Sequence, residues 1–248
     1  NVVGSNLFNL LVVVGVCSIL HPIKITKEIT KRDFPFSILA TVALGIALVS
    51  GLIISGSPTV NRFDGICFIV IFAIYIFMLI RSAMASRKNS TNEEVVIHNH
   101  SVPTSLIFIA IGLAGVIIGG NLVVDNATLI AEAFGMSQTL IGLTIVAIGT
   151  SLPELVTSIV ASKKGENDMA LGNVIGSNIF NLLLVLGVAG TVSPIHLPNM
   201  DCVILLVVSL LVFFIIKRTS IVGKKTGALM VLIYIVYTIY IFYRNYFI

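Results

Sequence analysis

Long apolar runs alternate with short polar stretches along the whole chain. Each run contains about 20 mostly apolar residues, which is the length that an α-helix needs to cross a bilayer. A helix satisfies its own backbone polar groups, so it is the form that such a run takes in lipid. The pattern predicts eight spanning helices, at about 2–20, 35–55, 64–81, 104–124, 139–161, 169–190, 202–217 and 226–243.

The polar connections between these runs are short, and the longest of them divides the chain. It covers residues 82–103, carries both basic and acidic side chains, and separates three spans from five. The segment Asn126–Ser137 is too polar to cross a bilayer, and we expect a short interfacial helix there. We therefore divide the chain into residues 1–81, a loop at 82–103, and residues 104–248.

The composition is typical of a membrane protein and excludes most soluble folds. Of the 248 residues, 57% are hydrophobic and 10% are charged, whereas about 25% are charged in an ordinary soluble domain. Cys17, Cys67 and Cys202 lie in or beside apolar runs without metal-ligand spacing. We interpret these cysteines as small buried side chains.

The basic residues are distributed unevenly over the two faces that eight crossings create. Thirteen of the 15 Lys and Arg residues fall on one face, and Arg62 and Arg244 fall on the other. Cytoplasmic loops of membrane proteins carry an excess of Lys and Arg. The asymmetry predicts that the richer face is cytoplasmic and that both ends of this chain lie outside.

The chain contains a copy of itself. Residues 1–11 match residues 173–183 at 9 of 11 positions, and 14 of 23 positions agree when the match is extended to Ile23 and Ile195. The predicted first copy enters the membrane from outside and the second from the cytoplasm, so the copies are inverted repeats. Inverted repeats are typical of secondary transporters, which bind their cargo near the bilayer midplane where the repeats meet.

The repeat also predicts a partner for the span that precedes the second copy. That span carries the segment Gly149–Glu154, and with the same offset of 172 residues the equivalent of Glu154 falls before Asn1. We expect an all-α transmembrane bundle of ten helices, of which this sequence holds eight, with an equivalent acid upstream.

Glu154 is the acidic residue in the middle of a predicted span. An ionised carboxylate there costs about 2.5–3.5 kcal/mol on insertion scales for Asp, so it normally faces a cavity or a partner. Pro153 has no N–H to offer the carbonyl of Gly149, which opens the helix and frees carbonyl oxygens. Thr150 and Ser151 lie four and three residues before Glu154, so their hydroxyls share a face with the carboxylate.

The next span carries a stripe of polar residues. Its members stand four residues apart in both copies: Asn173, Ser177 and Asn181 in the second, and Asn1, Ser5 and Asn9 in the first. Carboxylate, hydroxyl, amide and carbonyl oxygens suit Ca²⁺ or Na⁺ and suit Zn²⁺ or Cu poorly. Asn6 and Asn178 stay unassigned, because packing between helices explains them equally well.

These motifs resemble those of a known family, the cation/Ca²⁺ exchangers and in particular the prokaryotic sodium/calcium exchangers. The segment Gly149–Glu154, followed by Gly172–Asn178, is similar to the second α-repeat of the family, and Asn1–Asn9 is similar to the latter half of its first. The resemblance covers essentially the whole chain. It implies two inverted halves of five helices that exchange external Na⁺ for internal Ca²⁺ by alternating access, in the plasma (inner) membrane of a prokaryote.

The resemblance also implies a role for each matching residue. Glu154 is expected to be a ligand shared by Ca²⁺ and Na⁺, with Thr150 and Ser151 supplying hydroxyl or backbone oxygens. Ala147 is expected to offer a carbonyl oxygen to a Na⁺ site. The remaining expected ligands are Ser177 and Ser5 for the Na⁺ sites, and Asn181 and Asn9 for the central site. Some family members have Asp at the position of Asn181, and Asn there disfavours K⁺ co-transport.

The resemblance implies no cofactor, and the expected partners are the transported Ca²⁺ and Na⁺ and the lipid bilayer, without nucleic acid. The oligomeric state stays open.

A Ca²⁺/H⁺ antiporter, with Glu154 protonated in place of Na⁺ binding, is the nearest alternative. A cation channel fits less well, because channels more often build their filters from rings around a symmetry axis. An intramembrane hydrolase using Ser151 is disfavoured, since no His or Lys lies in the interior of a predicted span to activate the serine.

Overall fold

The computed structural model describes residues 1–89, 101–197 and 199–247, so most of the predicted connection at 82–103 lies outside the described residues. Eight helices in the described ranges are long and apolar enough to cross a membrane, which confirms the eight predicted spans. In chain order they are α1 (Val2–Leu20), α2 (Ile29–Ser55), α3 (Arg62–Asn89), α4 (Val102–Ala133), α5 (Gln138–Lys163), α6 (Asn167–Val192), α7 (Asn199–Arg218) and α8 (Lys224–Phe247).

The prediction of a separate interfacial helix at 126–137 is wrong, because α4 continues without a break to Ala133. The amide of Asn126 donates to the carbonyl of Leu122 at 2.7 Å, so this polar side chain is satisfied by its own helix. A helix of 32 residues is roughly 48 Å long, so its polar end can extend beyond a hydrocarbon core of about 30 Å. Gly135 follows the end of the helix with a φ of 76°, in the left-handed region that favours glycine.

Two small antiparallel sheets join the halves of the chain. Strand β1 (Ile23–Lys24), between α1 and α2, pairs with β4 (Ile221–Val222), between α7 and α8. Strand β2 (Thr59–Val60), between α2 and α3, pairs with β3 (Ile195–His196), between α6 and α7. Because β1 and β2 lie at opposite ends of α2, the two sheets lie at opposite faces of the bundle, which we name the β1–β4 face and the β2–β3 face.

The sheets show that the repeated segments run in opposite directions. Helix α1 ends at the β1–β4 face and its copy, α6, ends at the β2–β3 face. Each copy also contains one π-helical turn, at Asn9–Val13 in α1 and at Asn181–Val185 in α6, and these turns are equivalent under the 172-residue offset. The inversion predicted from the repeat is therefore present in the fold.

Helix α1 forms the centre of the bundle, and α4 lies at its edge. Of the most apolar stretch of each helix, 78% is buried in α1 and none in α4. A Cβ added to Gly4 would lie 2.7 Å from the carbonyl oxygen of Leu143 and 2.8 Å from the Cβ of Ala147. Only a glycine allows α1 and α5 to approach this closely, and that approach brings the polar residues of the two helices together.

Two buried carboxylates near opposite faces of the bundle each contact an arginine and a tyrosine and so link neighbouring helices. We name these two groups of residues the face clamps. In the first clamp, Arg32 donates to both oxygens of Asp33, at 2.7 and 3.1 Å, and Tyr75 of α3 lies 3.5 Å from Oδ1. The second clamp, on α7 and α8, joins Asp201 to Arg244 at 2.9 and 3.1 Å, with Tyr237 at 3.5 Å. The two carboxylates lie near opposite faces, and each has both of its oxygens bonded.

Candidate functional site at the centre of the bundle

Helix α5 is broken at its middle, as Pro153 predicts. Its first part, residues 138–150, ends at Thr150, and its second part begins at Leu152. Ser151 between them is not helical, with φ −99° and ψ 2°, and its N–H donates to the carbonyl three residues earlier at 3.0 Å. The break places Thr150 and Glu154 on either side of an irregular turn inside the bundle.

The first part of α5 meets α1 through hydroxyl groups. Ser5 Oγ lies 3.2 Å from the carbonyl oxygen of Ala147, to which it can donate, and 2.9 Å from Oγ1 of Thr150. Asn1 Oδ1 lies 3.1 Å from the same Ser5 hydroxyl and 3.2 Å from Oγ1 of Thr150. Three of the predicted ligands, Ser5, Ala147 and Thr150, are thus brought into one group, which we name the first tier.

The second part of α5 meets α6 through the carboxylate. Ser177 donates to Glu154 Oε1 at 2.9 Å. Asn173 donates to the backbone carbonyl of Glu154 at 3.2 Å and to Oγ1 of Thr157 at 2.8 Å. Glu154 Oε2 is buried and has no hydrogen-bond partner among the described residues. Ser177, Glu154 and Asn173 form the second tier, and one of its carboxylate oxygens is unpaired.

Four asparagines cross-link α1 and α6. Asn6 Nδ2 donates to the backbone carbonyl of Asn178 at 3.2 Å, and Asn178 Nδ2 donates to the backbone carbonyl of Asn6 at 3.1 Å. Asn9 Nδ2 donates to Asn178 Oδ1 at 3.1 Å, and Asn181 Nδ2 donates to Asn6 Oδ1, also at 3.1 Å. Each bond has an equivalent under the repeat. Asn9 Oδ1 is buried and, like Oε2 of Glu154, has no hydrogen-bond partner in the part of the chain that the structure describes.

The two tiers lie at different depths in the bundle. Helices α1 and α5 run toward the β1–β4 face and α6 runs toward the β2–β3 face. Ser5 and Thr150 each precede Asn9 and Glu154 by four residues, which is about 6 Å along a helix. The first tier is therefore nearer the β2–β3 face, and the second tier is nearer the β1–β4 face.

The structure does not join every predicted ligand to the others. Ser151 is buried at the break, 1% exposed, but its hydroxyl forms no hydrogen bond with another predicted ligand in the described part of the chain. Conversely, Asn6, Asn178 and Asn173 contact the predicted ligands although the sequence predicts no site role for them. A signal for the first two was available, since Asn6 and Asn178 are equivalent under the 172-residue offset.

The donor set of this cluster consists of oxygen atoms: one carboxylate, several hydroxyls, side-chain amides and a backbone carbonyl. Hard cations such as Ca²⁺ and Na⁺ prefer such ligands. Within residues 1–89, 101–197 and 199–247, no three His, Cys, Asp or Glu side chains lie close enough to hold a metal ion together. The chemistry of the cluster is therefore that of an oxygen site built mainly from neutral groups around Glu154.

Comparison with known proteins agrees with this fold and cluster. Residues 1–81 and 104–243 match the family described as "Sodium/calcium exchanger protein". Together with the inverted-repeat helical bundle, the match defines a membrane transporter that exchanges cations. The chain belongs to the sodium/calcium exchanger protein family.

Individual relatives support the same assignment. Inner membrane protein YrbG of Escherichia coli (strain K12) is 31% identical over 238 residues, which are 92% of this chain and 71% of that protein. Sodium/calcium exchanger MaX1 of Methanosarcina acetivorans is 27% identical over 280 residues, covering 98% of this chain and 79% of that protein. A solved structure of the sodium-calcium exchanger NCX_Mj, soaked with Na⁺ and Sr²⁺, superposes with a TM-score of 0.74 at 35% identity, covering 95% of this chain and 73% of that one.

Proposed function

We propose that this protein is an antiporter that exchanges Na⁺ for Ca²⁺ by alternating access, through the oxygen cluster between α1, α5 and α6. The observation that carries the proposal is a pair of buried oxygens, Glu154 Oε2 and Asn9 Oδ1, that have no hydrogen-bond partner within residues 1–89, 101–197 and 199–247. A buried acceptor without a partner costs about 1–3 kcal/mol. A bound cation would satisfy both oxygens.

The kinds of ligand in the cluster favour Ca²⁺ and Na⁺ as competing cargo. Both ions take oxygen ligands, and a carboxylate-centred cage can hold either one Ca²⁺ or more than one Na⁺. The names of MaX1 and NCX_Mj as sodium/calcium exchangers support this pair of ions. We assign Glu154 as the ligand that both ions share, because its carboxylate supplies the negative charge of the cluster.

The remaining proposed ligands follow from the two tiers. Ser5, Thr150 and the Ala147 carbonyl would line a Na⁺ site in the first tier, and Ser177 would line another beside Glu154 in the second. Asn9 and Asn181 would face the central site, and Ser151 would contribute through the broken backbone. Because the tiers lie toward opposite faces, cations in them can be released to opposite sides of the membrane.

We further propose the orientation and ion selectivity that the sequence predicts. The β1–β4 face would be cytoplasmic, because it carries 13 of the 15 basic residues and cytoplasmic loops are rich in Lys and Arg. Both chain ends would then lie outside, in the inner membrane of a prokaryote. An amide at Asn181, in place of a carboxylate, supports exchange without K⁺.

A Ca²⁺/H⁺ antiporter would use the same cluster, with a proton on Glu154 replacing bound Na⁺. Reconstituting the purified protein in vesicles and following Ca²⁺ uptake separates the two functions. We expect uptake when an outward Na⁺ gradient is imposed at equal pH, and little uptake when a pH gradient is imposed without Na⁺. Uptake that responds to the pH gradient and ignores Na⁺ would contradict the proposal.

A further inference from the structure

The side-chain amide of asparagine has two unlike ends, and only its oxygen can bind a cation. Asn9 and Asn181 can therefore serve as ligands in one orientation of the amide and not in the other. Rotating the amide by half a turn would present an NH₂ group to the cation. The orientation of these two side chains is a property that the protein has to control.

The bonds around Asn178 determine the orientation of Asn9. The backbone carbonyl of Asn6 can only accept, so the group that meets it at 3.1 Å must be Nδ2 of Asn178. The Oδ1 atom of Asn178 then lies on the other side of its amide, where it accepts from Nδ2 of Asn9 at 3.1 Å. This bond uses the NH₂ end of Asn9 and leaves its Oδ1 buried, without a partner among the residues that the structure describes.

The same sequence of bonds runs in the opposite direction through the other copy. The backbone carbonyl of Asn178 accepts from Asn6 Nδ2 at 3.2 Å, and Asn6 Oδ1 accepts from Asn181 Nδ2 at 3.1 Å. The NH₂ end of Asn181 is thus occupied in the way that the NH₂ end of Asn9 is. In each copy, a backbone carbonyl of one helix sets the amide orientation on the other.

Interhelical packing accounts for the presence of hydrogen bonds between α1 and α6. It does not account for which end of each amide donates and which end accepts. If the amide of Asn9 were rotated, its Oδ1 would face Oδ1 of Asn178, and two acceptors would be opposed. We infer that Asn6 and Asn178 are positioning residues that hold the amide oxygens of Asn181 and Asn9 toward the transported cation. This inference rests on the proposed function, since it takes those two oxygens to be cation ligands.

The test is a double-mutant cycle on Ca²⁺ affinity, measured by isothermal titration of the purified protein without Na⁺. Asn178→Leu has nearly the shape of the original side chain and removes both of its bonds. We expect it to weaken Ca²⁺ binding by about ten- to a hundred-fold, as is usual when a residue that orients a metal ligand is lost. Asn9→Asp presents an oxygen in either orientation, and its other oxygen opposes Oδ1 of Asn178, so in that background Asn178→Leu should not weaken Ca²⁺ binding.

A purely structural role for Asn178 predicts a different result, in which Asn178→Leu weakens binding equally in both backgrounds. That result, or an unchanged dissociation constant for Asn178→Leu itself, would overturn the inference. Tyr237→Phe, which removes a contact of a face clamp, is the control and should leave Ca²⁺ affinity unchanged.

The design separates this inference from the function on which it rests. Failure of the unmodified protein to bind Ca²⁺ would overturn the proposed function, and the inference with it, whereas normal binding with no effect of Asn178→Leu overturns the inference alone. If Asn178→Leu does not fold, Asn6→Leu and Asn181→Asp form the equivalent cycle in the other copy, with the same expected outcome.

Discussion

The central cluster and the face clamps both contain buried carboxylates, but they satisfy them differently. Asp33 and Asp201 each receive two bonds from an arginine, so the protein itself neutralises their charge. In the described ranges, the carboxylate of Glu154 receives one bond, from the neutral Ser177 hydroxyl, and its second oxygen is unpaired. The comparison teaches that arginines neutralise the two clamp carboxylates, whereas the central carboxylate would, under the proposed function, be neutralised by a transported cation.

This difference predicts that removing the charge of a carboxylate has different effects in the clamps and at the centre. An arginine left without its buried carboxylate is strongly destabilising. A carboxylate that lacks a cationic partner in the protein can lose its charge without leaving any other group unpaired. Substitutions in the clamps should therefore affect folding, and substitutions at the centre should affect transport.

The largest effect is expected from Glu154→Gln. The amide is close in shape but removes the charge on which cation binding depends, so we expect Ca²⁺ uptake into vesicles to fall at least about a hundredfold, which corresponds to about 2.7 kcal/mol. Thermal unfolding in detergent should be unchanged. The matched control is Asp125→Asn on the exposed surface of α4, which should keep normal uptake. Normal uptake by Glu154→Gln would refute the assignment of this carboxylate as a ligand.

The second effect is expected from Asp201→Asn in a face clamp. It leaves Arg244 without its carboxylate partner, and we expect a loss of about 3 kcal/mol in the free energy of unfolding, with little change in the Ca²⁺ concentration for half-maximal uptake. Denaturant unfolding of the purified protein measures the loss. The double variant Asp201→Asn/Arg244→Gln should recover part of it, and a double variant less stable than the single one would contradict the clamp.

The smallest effect is expected from Tyr237→Phe. The distance of 3.5 Å between its hydroxyl and Asp201 Oδ1 is long for a hydrogen bond. Hydrogen bonds between membrane helices contribute about 0.6 kcal/mol on average, and we expect no larger loss of stability here. A destabilisation as large as that of Asp201→Asn would show that the tyrosine, rather than the arginine, holds the clamp.

The sequence predicts most of the fold because apolar length and internal repetition are properties that can be read along the chain. The eight spans, the inversion and the break at Pro153 all follow from them. The continuation of α4 does not follow from polarity, because residues 127–133 are good helix formers and extend the helix past its apolar stretch. The polar end of a helix can lie in water when the helix is longer than the hydrocarbon core of the bilayer.

The predicted ligands cluster largely as the spacing indicates, but the bonds between them could not be predicted. Which amide of α1 meets which amide of α6 depends on the register of two antiparallel helices, which no spacing along one helix determines. The face clamps were missed for a related reason. The residue 172 positions after Asp33 is Leu205 rather than Asp201, so a search for repeated residues does not connect the two aspartates.

The two small sheets limit how the halves of the protein can move. Each sheet joins a loop of the first half to a loop of the second by main-chain hydrogen bonds, and one sheet lies at each face. Rigid rocking of one half against the other would have to pull strands apart at both faces. Within the described residues, no strand lies directly before or after α4 or α5, so neither sheet constrains the ends of these two helices. Under the proposed alternating access, movement of these two helices would break no strand pairing in the described part of the chain.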